Sequence, residues 1–280
     1  MVDHITFTNS ELTFDLSVDG PSGGIPVVLL HGFPQDRSTF DPLVARLTDA
    51  GYRTYAFDQR GYSPGARPRK VGAYRVRLLL DDLLALEARF ELRPFHLVAH
   101  DWGGVVGWHA AGRRPDVLRT FTSLSMPHPS AYLRALRRPT QAKAALYAGF
   151  FQLPRLPERK LLTGNGERLR RGLISTGLGD DAAARYTENM RAEGALTPAL
   201  NWYRAAFRHL GGLAAPPSQV PTLYLWGDRD VGLGRTAAEM TGSYVAAPYT
   251  FEVLEGASHW LPENHYDEVG ELLVRHLARS

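Results

Sequence analysis

The sequence predicts an α/β protein built on a mostly parallel sheet. Two observations carry that prediction. Short continuous apolar runs, bounded by turn residues, alternate with segments whose apolar residues recur at helical spacing, as strand–helix repeats require. The alternation stops near residue 128 and resumes near residue 216, so a helical insertion of about 90 residues interrupts the sheet. A chain of 280 residues, 44% hydrophobic and 22% charged, is long enough for one sheet domain with such an insertion.

ELTFDLSV (11–18) alternates apolar and polar residues, like a strand with one exposed face. DGPSGG (19–24) turns the chain, and PVVLL (26–30) reads as a strand buried on both faces. A helix follows over 38–50, with Ser38 as its N-cap. YRTYAF (52–57) is the next strand and DQRGYSPGARP (58–68) a long loop; residues 74–90 carry leucines at helical spacing. FHLVA (95–99) is a strand that runs through a sharp turn into a helix over 105–112, and LRTFTSLS (118–125) is a further strand. From 128 to 216 there are helical stretches, many arginines, and scattered Pro and Gly, but no buried strand. TLYLWG (222–227), a helix over 236–244, YTFEVLEG (249–256) and a helix over 263–278 complete the sheet. The expected division is a first core part at 1–127, a helical cap at 128–215 and a second core part at 216–280.

Composition excludes several function classes. There is no cysteine, which removes disulfides, thiolate metal sites and a cysteine nucleophile. The net charge is +3, and the densest basic runs are RRP (113–115), RR (137–138) and RLRR (168–171). They come with no nucleic-acid reading motif and read as solvated helix surface, so no nucleic-acid partner is expected. The start, MVDHITFTNSELTF, shows no basic segment followed by an apolar one, and no run of about 18 apolar residues suggests a membrane span. A cytoplasmic protein without a membrane partner is expected. No metal, nucleotide or flavin motif is evident, GNG (164–166) being an isolated turn, so no cofactor is expected.

The stretch LVAHDWGGVVGW (97–108) places one polar residue, Asp101, between an apolar run and a helix that opens on Gly103 and Gly104. Glycines there let the helix start pack closely on the strand, as a sharp elbow needs. Parallel sheets gather their sites at the carboxyl ends of the strands, where the loops converge. His31-Gly32-Phe33-Pro34, Asp101, the pair Asp228 and Asp230, and His259 each follow an expected strand. Singly, each has an ordinary explanation: a turn, a helix N-cap, a polar loop, a surface histidine. Together, in the order nucleophile, acid, histidine, they form a triad arrangement.

On HGFP (31–34), DQRGYSPGARP (58–68), AHDWGG (99–104), GDRD (227–230) and GASHW (256–260), the chain resembles the α/β-hydrolase superfamily over essentially its full length. Within it, the chain looks like the epoxide hydrolase family. Ala99 departs from the glycine usual at that position, but both residues are small. The resemblance implies an α/β-hydrolase fold with an inserted helical cap, and a role for each residue. A serine at the elbow must be deprotonated before it attacks; the carboxylate of Asp101 is already an anion and can displace a leaving group at a saturated carbon. His259 would activate water to hydrolyse the resulting ester. Asp230 would orient the imidazole, and it is preferred to Asp228 because the family pattern G-x-x-D fits Gly227 to Asp230. The backbone N–H groups of Phe33 and Trp102 would hold the oxyanion. Of the other histidines, His31 belongs to the HG turn, His100 points away from the nucleophile, His128 opens the insertion, and His96, His109, His209, His265 and His276 read as surface or packing residues.

Two chemistries use an aspartate at this elbow. A departing epoxide oxygen needs a proton donor, whereas a halide needs only N–H donors. LYAGFFQLP (146–154) and PALNWYRAAF (198–207) resemble the cap segments in which epoxide hydrolases carry ring-opening tyrosines, which places those roles on Tyr147 and Tyr203. A phenol is neutral at pH 7 and can donate to the ring oxygen; the ordinary alternative is that both rings only anchor helices. The expected substrates are a small apolar or aromatic epoxide and water. Phe33, Trp102, Phe150, Phe151, Leu153 and Trp202 are expected to make the apolar pocket. The alternatives are a haloalkane-type dehalogenase, with the Trp102 and Trp202 indoles as halide donors, and a non-catalytic ligand-binding protein on the same fold.

Overall fold

The computed structural model describes residues 3–279. Eight strands form one sheet: β1 (Asp3–Asn9), β2 (Leu12–Asp19), β3 (Pro26–Leu30), β4 (Arg53–Phe57), β5 (Phe95–His100), β6 (Leu118–Leu124), β7 (Thr222–Gly227) and β8 (Tyr249–Leu254). Their spatial order is β1-β2-β4-β3-β5-β6-β7-β8. β2 runs antiparallel to β1 and to β4, and every other neighbouring pair is parallel. β3 and β7 begin and end where their apolar runs do. β1 is absent from the sequence reading, for a physical reason: it is an edge strand with only Phe7 buried, stacked on Phe14 at 4.9 Å, so it has almost no apolar signal.

Successive residues of β3 face opposite ways, and each face has its own core. Val28 and Leu30 pack in one cluster with leucines and valines of α2 (Val76–Phe90) and α3 (Trp102–Arg113). Val27 and Leu29 pack in another with Leu43 and Leu47 of α1 (Asp41–Asp49) and with Val269 and Leu273 near the C-terminus. The α1 segment corrects one expectation. A short 3-10 turn, Arg37–Phe40, precedes the helix, and that turn is capped by Asp36, whose carboxylate accepts from the Ser38 amide at 2.8 Å.

Between β6 and β7, among the described residues, the chain forms helices and no strand: α4 (Pro129–Ala135), α5 (Pro139–Ala144), α6 (Leu146–Phe150), α7 (Leu156–Leu161), α8 (Glu167–Ser175), α9 (Asp180–Arg191) and α10 (Leu196–Arg208). The remaining helices are α11 (Arg235–Met240), α12 (Leu261–Asn264) and α13 (Tyr266–Leu277). The expected helix over 236–244 thus ends as a 3-10 turn, Thr241–Tyr244, and the last helix is two. Among the described residues no helix is long and apolar enough to cross a membrane.

A buried ion pair fixes the loop after β4 beneath the helical segment. Arg60 Nε and Nη2 donate to Asp82 at 2.8 and 2.6 Å, and both side chains are nearly inaccessible. The Arg60 carbonyl in turn accepts the Trp202 indole N–H at 2.7 Å, which pins α10 to the loop. Asp82→Ala would leave the guanidinium buried without its counter-ion. The expected loss of unfolding free energy is about 3–5 kcal/mol, measurable by urea denaturation; a loss under about 1 kcal/mol would contradict this account of the pair.

Candidate active site

The elbow between β5 and α3 is built on a strained residue. Asp101 has φ 48° and ψ −120°, a conformation that costs a non-glycine residue on the order of 1–3 kcal/mol. Close packing around it maintains the strain. A Cβ on Gly103 would collide with the Leu30 carbonyl, and one on Gly32 with the Asp101 side chain. These two glycines let β3 and its HG turn approach the apex closely.

One oxygen of the Asp101 carboxylate, Oδ1, accepts from the Phe33 amide at 2.8 Å, and the carboxylate also accepts from the Trp102 amide. The other, Oδ2, lies 3.7 Å from His259 Nε2, beyond a direct hydrogen bond. Burial raises the pKa of Asp101, while His259 and the two amides favour its anion. His259 Nδ1 donates to Asp230 Oδ2 at 2.7 Å. Asp230 Oδ1 accepts from the amides of Gly232 and Leu233 at 2.8 and 2.9 Å, which fixes the carboxylate. Asp228 is exposed and accepts from the Gly256 amide at 2.7 Å. Burial by itself would lower the pKa of His259. The charge and hydrogen bond of Asp230 and the charge of Asp101 overcome it and raise the value to about 9.

A supporting network escaped the sequence reading. Gln35 Oε1 accepts the Gly32 amide at 3.0 Å and meets His100 Nδ1 at 2.7 Å, and His100 Nε2 lies 2.9 Å from the His259 carbonyl. Gln35 Nε2 donates at 2.6 Å to Glu263 Oε1, which also accepts from Thr39 at 2.8 Å and from Tyr186 of α9 at 2.9 Å. His100 therefore turns away from Asp101 and joins the two loops that carry the site. No local spacing announces the Gln35–Glu263 contact, because 228 residues separate its ends. His128 caps α4 by accepting the Ser130 amide and also contacts the Pro216 carbonyl.

Two apolar lobes meet at Asp101. The smaller, about 290 Å³, is lined by Phe33, Phe151, Leu169, Leu173, Trp260 and others, together with Asp230 and His259. The larger, about 510 Å³, is lined chiefly by α4–α6 and α10, with Trp102 beside the carboxylate. Tyr147 and Tyr203 line both lobes, as do Asp101 and Leu233. The Tyr203 ring packs against Phe33 at 5.4 Å, Trp102 at 5.0 Å and Tyr147 at 5.9 Å. Its hydroxyl interacts with the Trp102 indole N–H and with the Tyr147 hydroxyl. Tyr147 as a residue is 42% exposed, but its hydroxyl is turned inward. Burial, with nearby phenols and Asp101, raises the pKa of both tyrosines well above 10, so both stay protonated at neutral pH.

The lining corrects part of the expected pocket. Phe150, Leu153 and Trp202 line neither lobe. Trp202 is a buried anchor whose N–H is committed to Arg60, so it cannot donate into the cavity. Among the described residues, no group of three or more His, Asp or Glu side chains is placed to hold a metal ion.

Residues 25–266 match the model of the alpha/beta hydrolase fold family. The chain is 35% identical to the AB hydrolase superfamily protein YfhM of Bacillus subtilis, over 98% of each chain. It is 31% identical to epoxide hydrolase 3 of Xenopus tropicalis, over 96% of this chain and 76% of that protein. The crystal structure of epoxide hydrolase A from Mycobacterium thermoresistibile superposes with a TM-score of 0.84 at 26% identity, covering 99% of this chain and 98% of the other.

Proposed function

The chain belongs to the α/β-hydrolase family, in its epoxide hydrolase branch, and on that premise we propose that it opens an epoxide to a vicinal diol through an ester on Asp101. One observation carries the reading. Two protonated tyrosine hydroxyls and a carboxylate cradled by two amides line the same apolar cavity. Residues 128–215 act as the cap that closes this cavity over the sheet.

In the first half-reaction Asp101 Oδ2 attacks a ring carbon. The carbon–oxygen bond breaks, and the ring oxygen takes a proton from Tyr203 or Tyr147. Oδ1, held by the Phe33 amide, becomes the carbonyl oxygen of the ester. In the second, His259 Nε2 takes a proton from water, whose oxygen attacks Asp101 Cγ. The tetrahedral oxyanion forms on Oδ1, which the Phe33 amide already contacts, with the Trp102 amide also donating to the carboxylate. Collapse breaks the Cγ–Oδ2 bond, and His259 returns its proton to Oδ2, which departs as the second hydroxyl of the diol. The proton left on the Asp101 carboxyl restores the tyrosinate to a phenol.

The order of events follows from charge. The Asp101 anion helps to keep His259 protonated in the free enzyme, with a pKa of about 9. Alkylation converts Asp101 to a neutral ester, removes that influence and lowers the pKa of His259 when a base is needed. Because only neutral imidazole accepts the proton, ester hydrolysis measured in single turnover should rise with pH to a plateau. Its apparent pKa should lie below about 9. An ester-hydrolysis rate independent of pH between 5 and 9 would contradict the role of His259.

Tyr147→Phe and Tyr203→Phe remove only a hydroxyl. Each is expected to slow alkylation by a factor on the order of 10 to 1,000, and the double variant should nearly abolish it. Full alkylation rates in both single variants would remove the tyrosines from the mechanism. The commitment of Trp202 to Arg60 weighs against a dehalogenase, which needs a second halide donor. Assays of diol formation and of halide release separate the two readings. Tight ligand binding without turnover would instead mark a binding protein.

A further inference from the structure

The run RLRR (168–171) on α8 is only partly accounted for by ion pairs. Arg170 pairs with Asp180 and Glu167, and Arg171 Nε lies 2.7 Å from Glu167 Oε1. Arg168 has no carboxylate partner among the described residues. It lines the smaller lobe instead, on a stripe of α8 with Leu169, Gly172 and Leu173 that continues to Thr176 just past the helix end. Apart from Asp101, Asp230 and His259, Arg168 is the one charged residue lining that lobe. It is exposed, which sets it at the solvent margin of an otherwise mainly apolar surface.

An unpaired guanidinium at the edge of an apolar cavity is a selective feature. Its planar fork matches a carboxylate in a bidentate geometry. The apolar wall between it and the reacting centre accommodates a hydrocarbon arm but would penalise a charge along the way. A single cation suits a monoanion better than a doubly charged phosphate. We propose that the preferred substrates are epoxides whose arm in the smaller lobe ends in a carboxylate, and that Arg168 binds it and determines that specificity. This rests on the epoxide hydrolase reading above. The arm carries the negative charge to the margin, away from the Asp101 anion that must attack the ring.

The test compares a medium-chain ω-epoxyalkanoate with its methyl ester, on the wild type, Arg168→Gln and Arg168→Lys. The wild type should show the higher kcat/KM on the acid. Arg168→Gln should lower the acid-to-ester ratio about tenfold, chiefly through KM, and Arg168→Lys should restore part of it. Added salt should compress the wild-type ratio and leave that of Arg168→Gln nearly unchanged, which a merely structural role for Arg168 does not predict. Diol from both substrates with a ratio that Arg168→Gln does not move would overturn the assignment of Arg168 alone. No diol from either substrate on the wild type would overturn it together with the epoxide hydrolase reading.

Discussion

Asp101→Ala should give a folded protein that makes no diol. A methyl group cannot attack carbon, and among the described residues no other carboxylate lies in the amide cradle of Phe33 and Trp102. The loss should be on the order of 10⁴-fold or more, as when the nucleophile of a catalytic unit is removed. Folding should survive, because the cost is limited. The substitution leaves two amides without their acceptor, about 1–3 kcal/mol each at most, but it also removes a buried charge. Alanine must still adopt φ 48° at the elbow, as aspartate does. Thermal denaturation should therefore show a shifted but cooperative transition. Asp101→Asn is a poorer choice, since slow deamidation would regenerate the nucleophile. Substantial diol from a pure, folded Ala variant would end the covalent account.

His259→Gln should separate the half-reactions. The Asp101 carboxylate needs no base to become anionic, so ring opening should proceed, while hydrolysis of the ester stalls. Epoxide should then disappear in a burst of about one equivalent per active site, followed by slow turnover. Intact-protein mass spectrometry should find the enzyme heavier by one whole epoxide, with no atom lost, and peptide mapping should place the adduct on Asp101. A haloalkane substrate in a dehalogenase would add only the alkyl group and release halide. If the wild type turns over an epoxide and the variant shows neither burst nor adduct, His259 does not act after ring opening.

How much of this was legible in the sequence depended on whether the physical signal was local. β3 and β7 are buried on both faces, so PVVLL and TLYLWG announce their own limits. β1 has a single buried residue and announces nothing. The elbow was legible because its strain requires glycines within three residues of Asp101. Ser38 does not cap α1, because the chain enters a 3-10 turn first: Asp36 caps that turn, Ser38 lies within it, and α1 starts after Phe40 with no side-chain cap. Gln35 and Glu263 were invisible because they matter only through each other, across the whole chain. Trp202 was misassigned because an aromatic residue reads the same in a sequence whether it lines a cavity or anchors a helix to Arg60.

The claim that a water attacks the ester carbonyl of Asp101, and not the epoxide carbon, is tested most directly by isotope placement. A single turnover of wild-type enzyme in excess over epoxide, run in ¹⁸O-water, should leave the diol unlabelled. One ¹⁸O should then be found in the Asp101 carboxylate by mass spectrometry of its peptide, because Oδ2 departs with the product and the water oxygen takes its place. A labelled diol with an unlabelled Asp101 would mean that water opens the ring directly, and would contradict the covalent mechanism.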